Sequence, residues 1–301
     1  MVAPGRPSAP GSRFGAKSGV LECVVNVSEG RDDRLVRSFG DRCQPVLLDV
    51  HSDPDHNRSV FTLAGAPEEV SQAVRQLAIE VTGELDIRDH SGVHPRFGVL
   101  DVVPWVGLEG WPLRDASEGS QMARAAEHAR ESFARWVASE LGVPAFLYGP
   151  ERSLPEVRRR AWRGLLPDFG PSAPHSRAGS VAVGLRPLLV AYNIWLAGSV
   201  NEQRARAVAA SVRGPDVRAL AFPVRGGYQV SCNLLAPFLT GPGVVYEQVS
   251  RLAPVQRAEV VGLVPRGVLV AVPKQRWVRL GLSASTTLES RLAERGLEPR
   301  S

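Results

Sequence analysis

The feature that most constrains this chain is a succession of hydrophobic periods that occurs twice. Leu21 to Val27 is a β-branched run ending in Ser28-Glu29-Gly30, a strand and its turn. Asp32 to Cys43 carries Leu35, Val36 and Phe39 at helical spacing. Pro45 to Val50 and Arg58 to Leu63 are two further strands. Pro67 opens a helix to about Leu85, with Val70, Val74, Leu77, Ala78 and Val81 on one face. Val99 to Val106 closes the series as a strand. The second half repeats the order. Leu188 to Leu196 is a strand, and Asn201 to Arg213 a helix with Ala205, Val208, Ala209 and Val212 inward. Val217 to Val224 and Tyr228 to Leu235 flank the Gly226-Gly227 turn of a hairpin. Pro242 to Leu252 is a helix, and Glu259 to Leu263 a strand.

Each half therefore reads β-α-β-β-α-β, the split βαβ of a ferredoxin-like unit. The fold class expected is α/β (α+β): two ferredoxin-like subdomains with a cleft between them. Between the halves lie a long Ala-rich helix from Ser117 to Leu141, a short strand from Pro144 to Tyr148 and an arginine-rich helix from Glu151 to Gly164. A Pro/Gly/Ser loop runs from Leu166 to about Gly179, and Ser285 to Arg295 forms a closing helix. The repeat lies in the pattern, with no residue-by-residue correspondence. The expected divisions are a disordered tail over residues 1–19, rich in Pro, Gly and Ser, one subdomain over 20–183 and another over 184–301.

The composition excludes several classes. No apolar run approaches the roughly 18 to 20 residues that a membrane helix needs, and the N-terminus lacks the apolar stretch of a secretory signal. Cys23, Cys43 and Cys232 are isolated, which suits reduced, buried thiols and a cytoplasmic setting rather than a disulfide frame or a zinc site. The net charge of +5 comes almost wholly from arginine, since Lys17 and Lys274 are the two lysines. Guanidinium groups suit the gripping of carboxylates or phosphates, and a coding bias that also enriches Ala, Val and Gly gives the same count. Arg158-Arg159-Arg160 with Arg163 is the densest cationic run. No aromatic platform interleaves with it, so it reads as a solvated helix face and not as a nucleic-acid surface.

Polar residues gather in three segments. Asp49 to Arg58 brings together carboxylates, His51, His56, Asn57 and Arg58 between two strands. Its spacing matches no metal motif, and an Asx-bonded turn is the other reading of it. Asp86 to Gly98 holds Ser91-Gly92-Val93-His94-Pro95-Arg96. Pro95 biases His94 toward an extended backbone, and an imidazole titrating near neutrality suits acid–base work. A capping histidine fits the same residues. Pro167 to Gly179 is either a binding loop or an interdomain linker.

Six stretches together resemble the glutamate formiminotransferase family. They are Val24–Gly30, Leu47–Val60, Gly92–Pro104, Pro167–Pro171, Val190–Asn193 and Val230–Leu235, in the family's order and spacing. The resemblance implies two α/β subdomains around a folate-binding cleft, and leaves no stretch here for the cyclodeaminase domain that bifunctional relatives add. It implies transfer of a formimino group from N-formimino-L-glutamate to N5 of tetrahydrofolate, in histidine breakdown, with His94 as the catalytic acid and base. A formyl donor, or a folate-binding paralogue without catalysis, is the alternative. Gly170, Pro171, Ser172, Ala173, Pro174, His175, Ser176, Arg177, Ala178 and Gly179 correspond to the folate-contacting loop. Vertebrate relatives carry a proton-handling Asp at the position of His51, so His51, Asp53 or His56 is expected to take that role. Arg58, Arg96 or Arg177 is expected to clamp substrate carboxylates, and Asn57 lies in the same segment. The expected partners are small molecules, with tetrahydrofolate as co-substrate, no metal, no nucleic acid and no membrane. A homodimer is left open.

Overall fold

The structure, a computed structural model, describes residues 19–297. The tail expected over 1–19 lies outside them except for Gly19. The first unit comprises β1 (Val20–Val27), α1 (Asp33–Asp41), β2 (Leu47–Asp53), β3 (Arg58–Gly65), α2 (Pro67–Glu84) and β4 (Leu100–Glu109). Its strands stand in the order β2-β3-β1-β4, with every neighbouring pair antiparallel. The chain then adds β5 (Arg114–Asp115), α3 (Gln121–Glu140), β6 (Ala145–Tyr148), α4 (Leu154–Arg160) and β7 (Val181–Leu185). β7 runs parallel to β4 and β6 parallel to β7, extending this sheet to seven strands. The second unit comprises β8 (Val190–Leu196), α5 (Glu202–Ser211), β9 (Val217–Val224), β10 (Gly227–Leu234), α6 (Pro242–Leu252) and β11 (Val255–Val261). Its order is β11-β8-β10-β9. After α7 (Arg266–Val270) and three short 3₁₀ turns, α8 (Leu288–Glu294) ends the described chain.

The two expected β-α-β-β-α-β units are present. The local reasons are those read from the sequence. Asp32, Ser120 and Asn201 cap α1, α3 and α5 by accepting backbone N–H groups with their side chains. Pro67 stands at the start of α2. Alternation along the strands divides each sheet into two faces. Leu21, Cys23, Val25 and Val27 of β1 join the core beneath α1, α2 and α3. Tyr192, Ile194, Val230 and Cys232 join the core of the second unit. Each fully buried Leu, Val or Phe contributes roughly 1.5–3 kcal/mol. All three cysteines are buried and unpaired.

Three details differ from expectation. β7 is not among the expected strands: it is a five-residue run with little room for a periodic signal. It belongs to the first sheet through Leu185, and β8 of the second sheet begins at Val190. The arginine-rich helix shrinks to α4, capped by Ser153 and ended where Trp162 takes a left-handed backbone, φ 62°. The last strand of the second unit begins at Val255, earlier than Glu259.

A third apolar cluster joins the units. Val20, Leu48, Ala64, Val106 and Leu108 of the first sheet meet Leu188, Leu263, and Leu288 and Leu292 of α8. Arg295 adds hydrogen bonds to the Leu47 carbonyl at 2.9 Å and to Gln44 at 3.0 Å. The faces opposite the helices are thereby held toward each other.

Candidate active site

Between those faces lies a cleft of about 1210 Å³. The first sheet lines it with Glu22, Val24, Asn26, His51, Arg58 and Val60, and the second with Ala191, Asn193, Phe222, Ser231 and Asn233. His94 enters from the long connection between α2 and β4. That connection is shaped by its own backbone bonding. Arg96 donates to the carbonyls of His90, Gly92 and His94. Asn57, at φ 47°, donates to the Ser91 carbonyl and accepts from the Gly30 N–H. Gly92 is obligatory, because a Cβ there would lie 2.3 Å from the His56 carbonyl oxygen.

His94 Nδ1 lies 2.7 Å from the Pro95 carbonyl oxygen. A carbonyl only accepts, so Nδ1 carries the proton of the neutral ring and Nε2 keeps its lone pair. The ring sits 5.6 Å from that of His56 and 5.5 Å from Phe222, centre to centre. Burial first, and then the Arg58 and Arg158 cations, push the His94 pKa down to about 3, against the pull of Asp101 and the Pro95 carbonyl. His94 is therefore a neutral imidazole across the ordinary working range.

Asp101, on β4, is 0% exposed and anchors the surroundings. Its Oδ2 accepts from Arg58 of β3 and Arg158 of α4, each at 2.6 Å. Its Oδ1 accepts from the Phe97 N–H at 2.6 Å. Burial works to raise this carboxyl, and the two guanidinium groups hold it down at about 2. From the second unit, Gln229 meets His56 Nε2 at 2.9 Å, and Glu259 stands 3.6 Å from His51. The Arg225 N–H reaches Asp55 at 2.8 Å.

The model of the formiminotransferase domain, N-terminal subdomain, matches residues 20–186. The chain belongs to the formiminotransferase family. It is similar to the glutamate formimidoyltransferase of Thermoplasma acidophilum, 33% identical over 91% of this chain and 97% of that protein. The glutamate formimidoyltransferase of Streptococcus pyogenes serotype M1 is 30% identical over 84% and 91%. The formimidoyltransferase-cyclodeaminase of Sus scrofa is 34% identical over 84% of this chain and 51% of its own length. The chain thus spans about half the length of the mammalian relatives it matches.

In this member of the formiminotransferase family, His51, Asp53, His56, Arg58 and His94 share one cleft. Asp53 is partly committed, because its Oδ1 accepts the N–H groups of Asp55 and His56 in an Asx turn. Asn57 and Arg96 stand behind the wall and shape it. Among the described residues, none of Gly170 through Gly179 lines the cleft. His175 and Gly179 exchange backbone bonds, and the Val99, Ser180 and Ile87 N–H groups bind the carbonyls of Ala178, Phe97 and Arg177. The end of the loop, Arg177 to Gly179, thus braces the segment that carries His94. Arg177 faces Asp86 and the Gly83 carbonyl. Of the expected carboxylate clamps, Arg58 is held by Asp101, and Arg96 and Arg177 are turned to the backbone or to Asp86. Sequence reasoning missed Asp101, Arg158, Phe222, Gln229 and Glu259. The available signal was a carboxylate inside an apolar strand run, Leu100-Asp101-Val102, which is costly unless paired.

Proposed function

We propose that this chain transfers the formimino group of N-formimino-L-glutamate to N5 of tetrahydrofolate, giving 5-formiminotetrahydrofolate and glutamate. The observation that carries this reading is His94, a neutral imidazole with Nδ1–H tied to the Pro95 carbonyl, on the wall of the cleft between the two sheets. The names of the relatives supply the transfer. In it, the N5 lone pair attacks the formimino carbon and a tetrahedral intermediate forms. Nε2 of His94 takes the N5 proton and returns it to the glutamate nitrogen. The carbon–nitrogen bond to glutamate then breaks, and the electron pair leaves on that nitrogen. Such proton handling contributes about 10² to 10⁴-fold, and holding both substrates together supplies much of the remainder. The cleft exceeds the space one drug-sized ligand ordinarily fills. Arg186, Arg213 and Arg218 also line it and are the cations at hand for the substrates' carboxylates. The loop of residues 170–179 enters this reading as the brace of His94.

His94→Ala, checked for folding by circular dichroism, is expected to lower the transfer rate about 10² to 10⁴-fold. An unchanged rate in the folded variant would sink the reading.

A further inference from the structure

The Pro95 carbonyl takes two hydrogen bonds. One is from His94 Nδ1 at 2.7 Å, the other from Arg158 Nη1 at 3.0 Å. The same guanidinium gives Nη2 to Asp101 at 2.6 Å, and Asp101 holds the Phe97 N–H at 2.6 Å. One buried carboxylate therefore fixes the chain at residue 97 directly and at residue 95 through Arg158. This brackets the turn that His94 leads into. The arrangement needs a planar fork that donates in two directions at fixed spacing, which an ammonium group does not offer.

We propose that Arg158 is a positioning residue, anchored by Asp101, that sets the orientation and tautomer of His94 through the Pro95 carbonyl. With one side of that carbonyl occupied by a guanidinium N–H, the other receives Nδ1–H, and Nε2 is left as the acceptor. The inference rests on His94 being the proton carrier. It makes α4, whose arginines look in sequence like a solvated face, part of the site. The groups facing the ring are Arg58 from β3, Asp101 from β4, Arg158 from α4, His56 from the β2–β3 turn and the uncharged Phe222 from β9. Withdrawing Arg158 removes one of the two cations that disfavour the imidazolium. Arg158 also lines the cleft, so a direct grip on a substrate carboxylate is the rival role, and kinetics separate the two.

The test compares Arg158→Gln, Arg158→Lys and Arg158→Ala with His94→Ala in the full chain, using formiminoglutamate and tetrahydrofolate. Arg158→Gln is expected to lower kcat about 10²-fold with KM little changed, and to move the acid limb of kcat/KM to higher pH. Arg158→Lys keeps the charge and lacks the fork, so its kcat stays low while its acid limb stays where the parent's lies. Guanidinium ion in the buffer restores part of the kcat of Arg158→Ala. In the His94→Ala background, Arg158→Gln costs nothing more. A raised KM with kcat intact would overturn the proposal in favour of a substrate clamp. A lower Tm with unchanged kcat and pH profile would reduce Arg158 to a structural part. Either result alongside an inactive His94→Ala leaves the proposed function standing, whereas an active His94→Ala removes both.

Discussion

The two units have one strand order and unequal equipment. In the first, the connection from the second helix to the last strand is residues 85–99, and it carries His94. At the same topological place in the second, Ala253 and Pro254 alone join α6 to β11. The first unit also grows β6, β7, α3 and α4, and so gains Arg158. It holds His51, His56, Arg58, His94 and Asp101. The second answers mainly with Phe222, Asn193, Gln229 and Ser231, which are uncharged. A shared frame thus leaves the chemistry to the lengths of its connections. The first unit carries the histidines, and the second closes over them with a mostly uncharged wall to which Arg213, Arg218 and Glu259 add charge.

That contrast can be broken or sharpened by measurement. After the loss of rate expected for His94→Ala, the largest effect belongs to Asp101. Asp101→Ala leaves Arg58 and Arg158 as unmatched cations and is expected to cost roughly 3–5 kcal/mol of stability, measured by urea unfolding. A cost below 1 kcal/mol would mean that water screens the cluster and that the first unit is less specialised than described. Next is Glu22, 4% exposed on the cleft face of β1. Burial raises its pKa to about 7, against Arg186 and with Asp115 and Glu289 adding to the rise. The folded state holds this proton where the unfolded chain has lost it. Stability from this group is therefore present below about pH 4.5 and falls as pH rises toward 7, by roughly 3 kcal/mol at most. Glu22→Gln should flatten that slope, and equal slopes in parent and variant would remove Glu22 as its source. The smallest effect lies in the second unit. Tyr192→Phe loses the hydrogen bond to the Leu280 carbonyl, 2.9 Å, for about 1 kcal/mol, with transfer unchanged. A drop in transfer would show that the core of the second unit also bears on the site.

Much of the frame was legible because alternation and helical spacing are local. The inward face of α2 and that of α5 are buried as their spacing requires. β7 was not legible. Its five residues include Gly184, where a Cβ would lie 1.9 Å from the Tyr148 ring, so the side-chain pattern is broken by a partner on β6. The stretches around His94 single it out as a candidate, and it lies on the cleft wall. Its environment was not legible, since Asp101 meets Arg58 and Arg158 across 43 and 57 residues of chain. The loop of residues 170–179 differs again: its last residues are bonded to the segment that leads into β4. Its composition suits binding, and composition does not say that Arg177, Ala178 and Gly179 also have backbone partners.

The cluster that joins the units sets an order of events during synthesis. Leu288 and Leu292 of α8 are buried against Val20, Leu48 and Ala64, which leave the ribosome some two hundred and more residues earlier. Until α8 arrives, those side chains lack part of their cover, and this joining cluster has only Leu188 and Leu263 from beyond the first sheet. The residues of the first sheet are therefore synthesised well before those that complete the cluster joining it to the second.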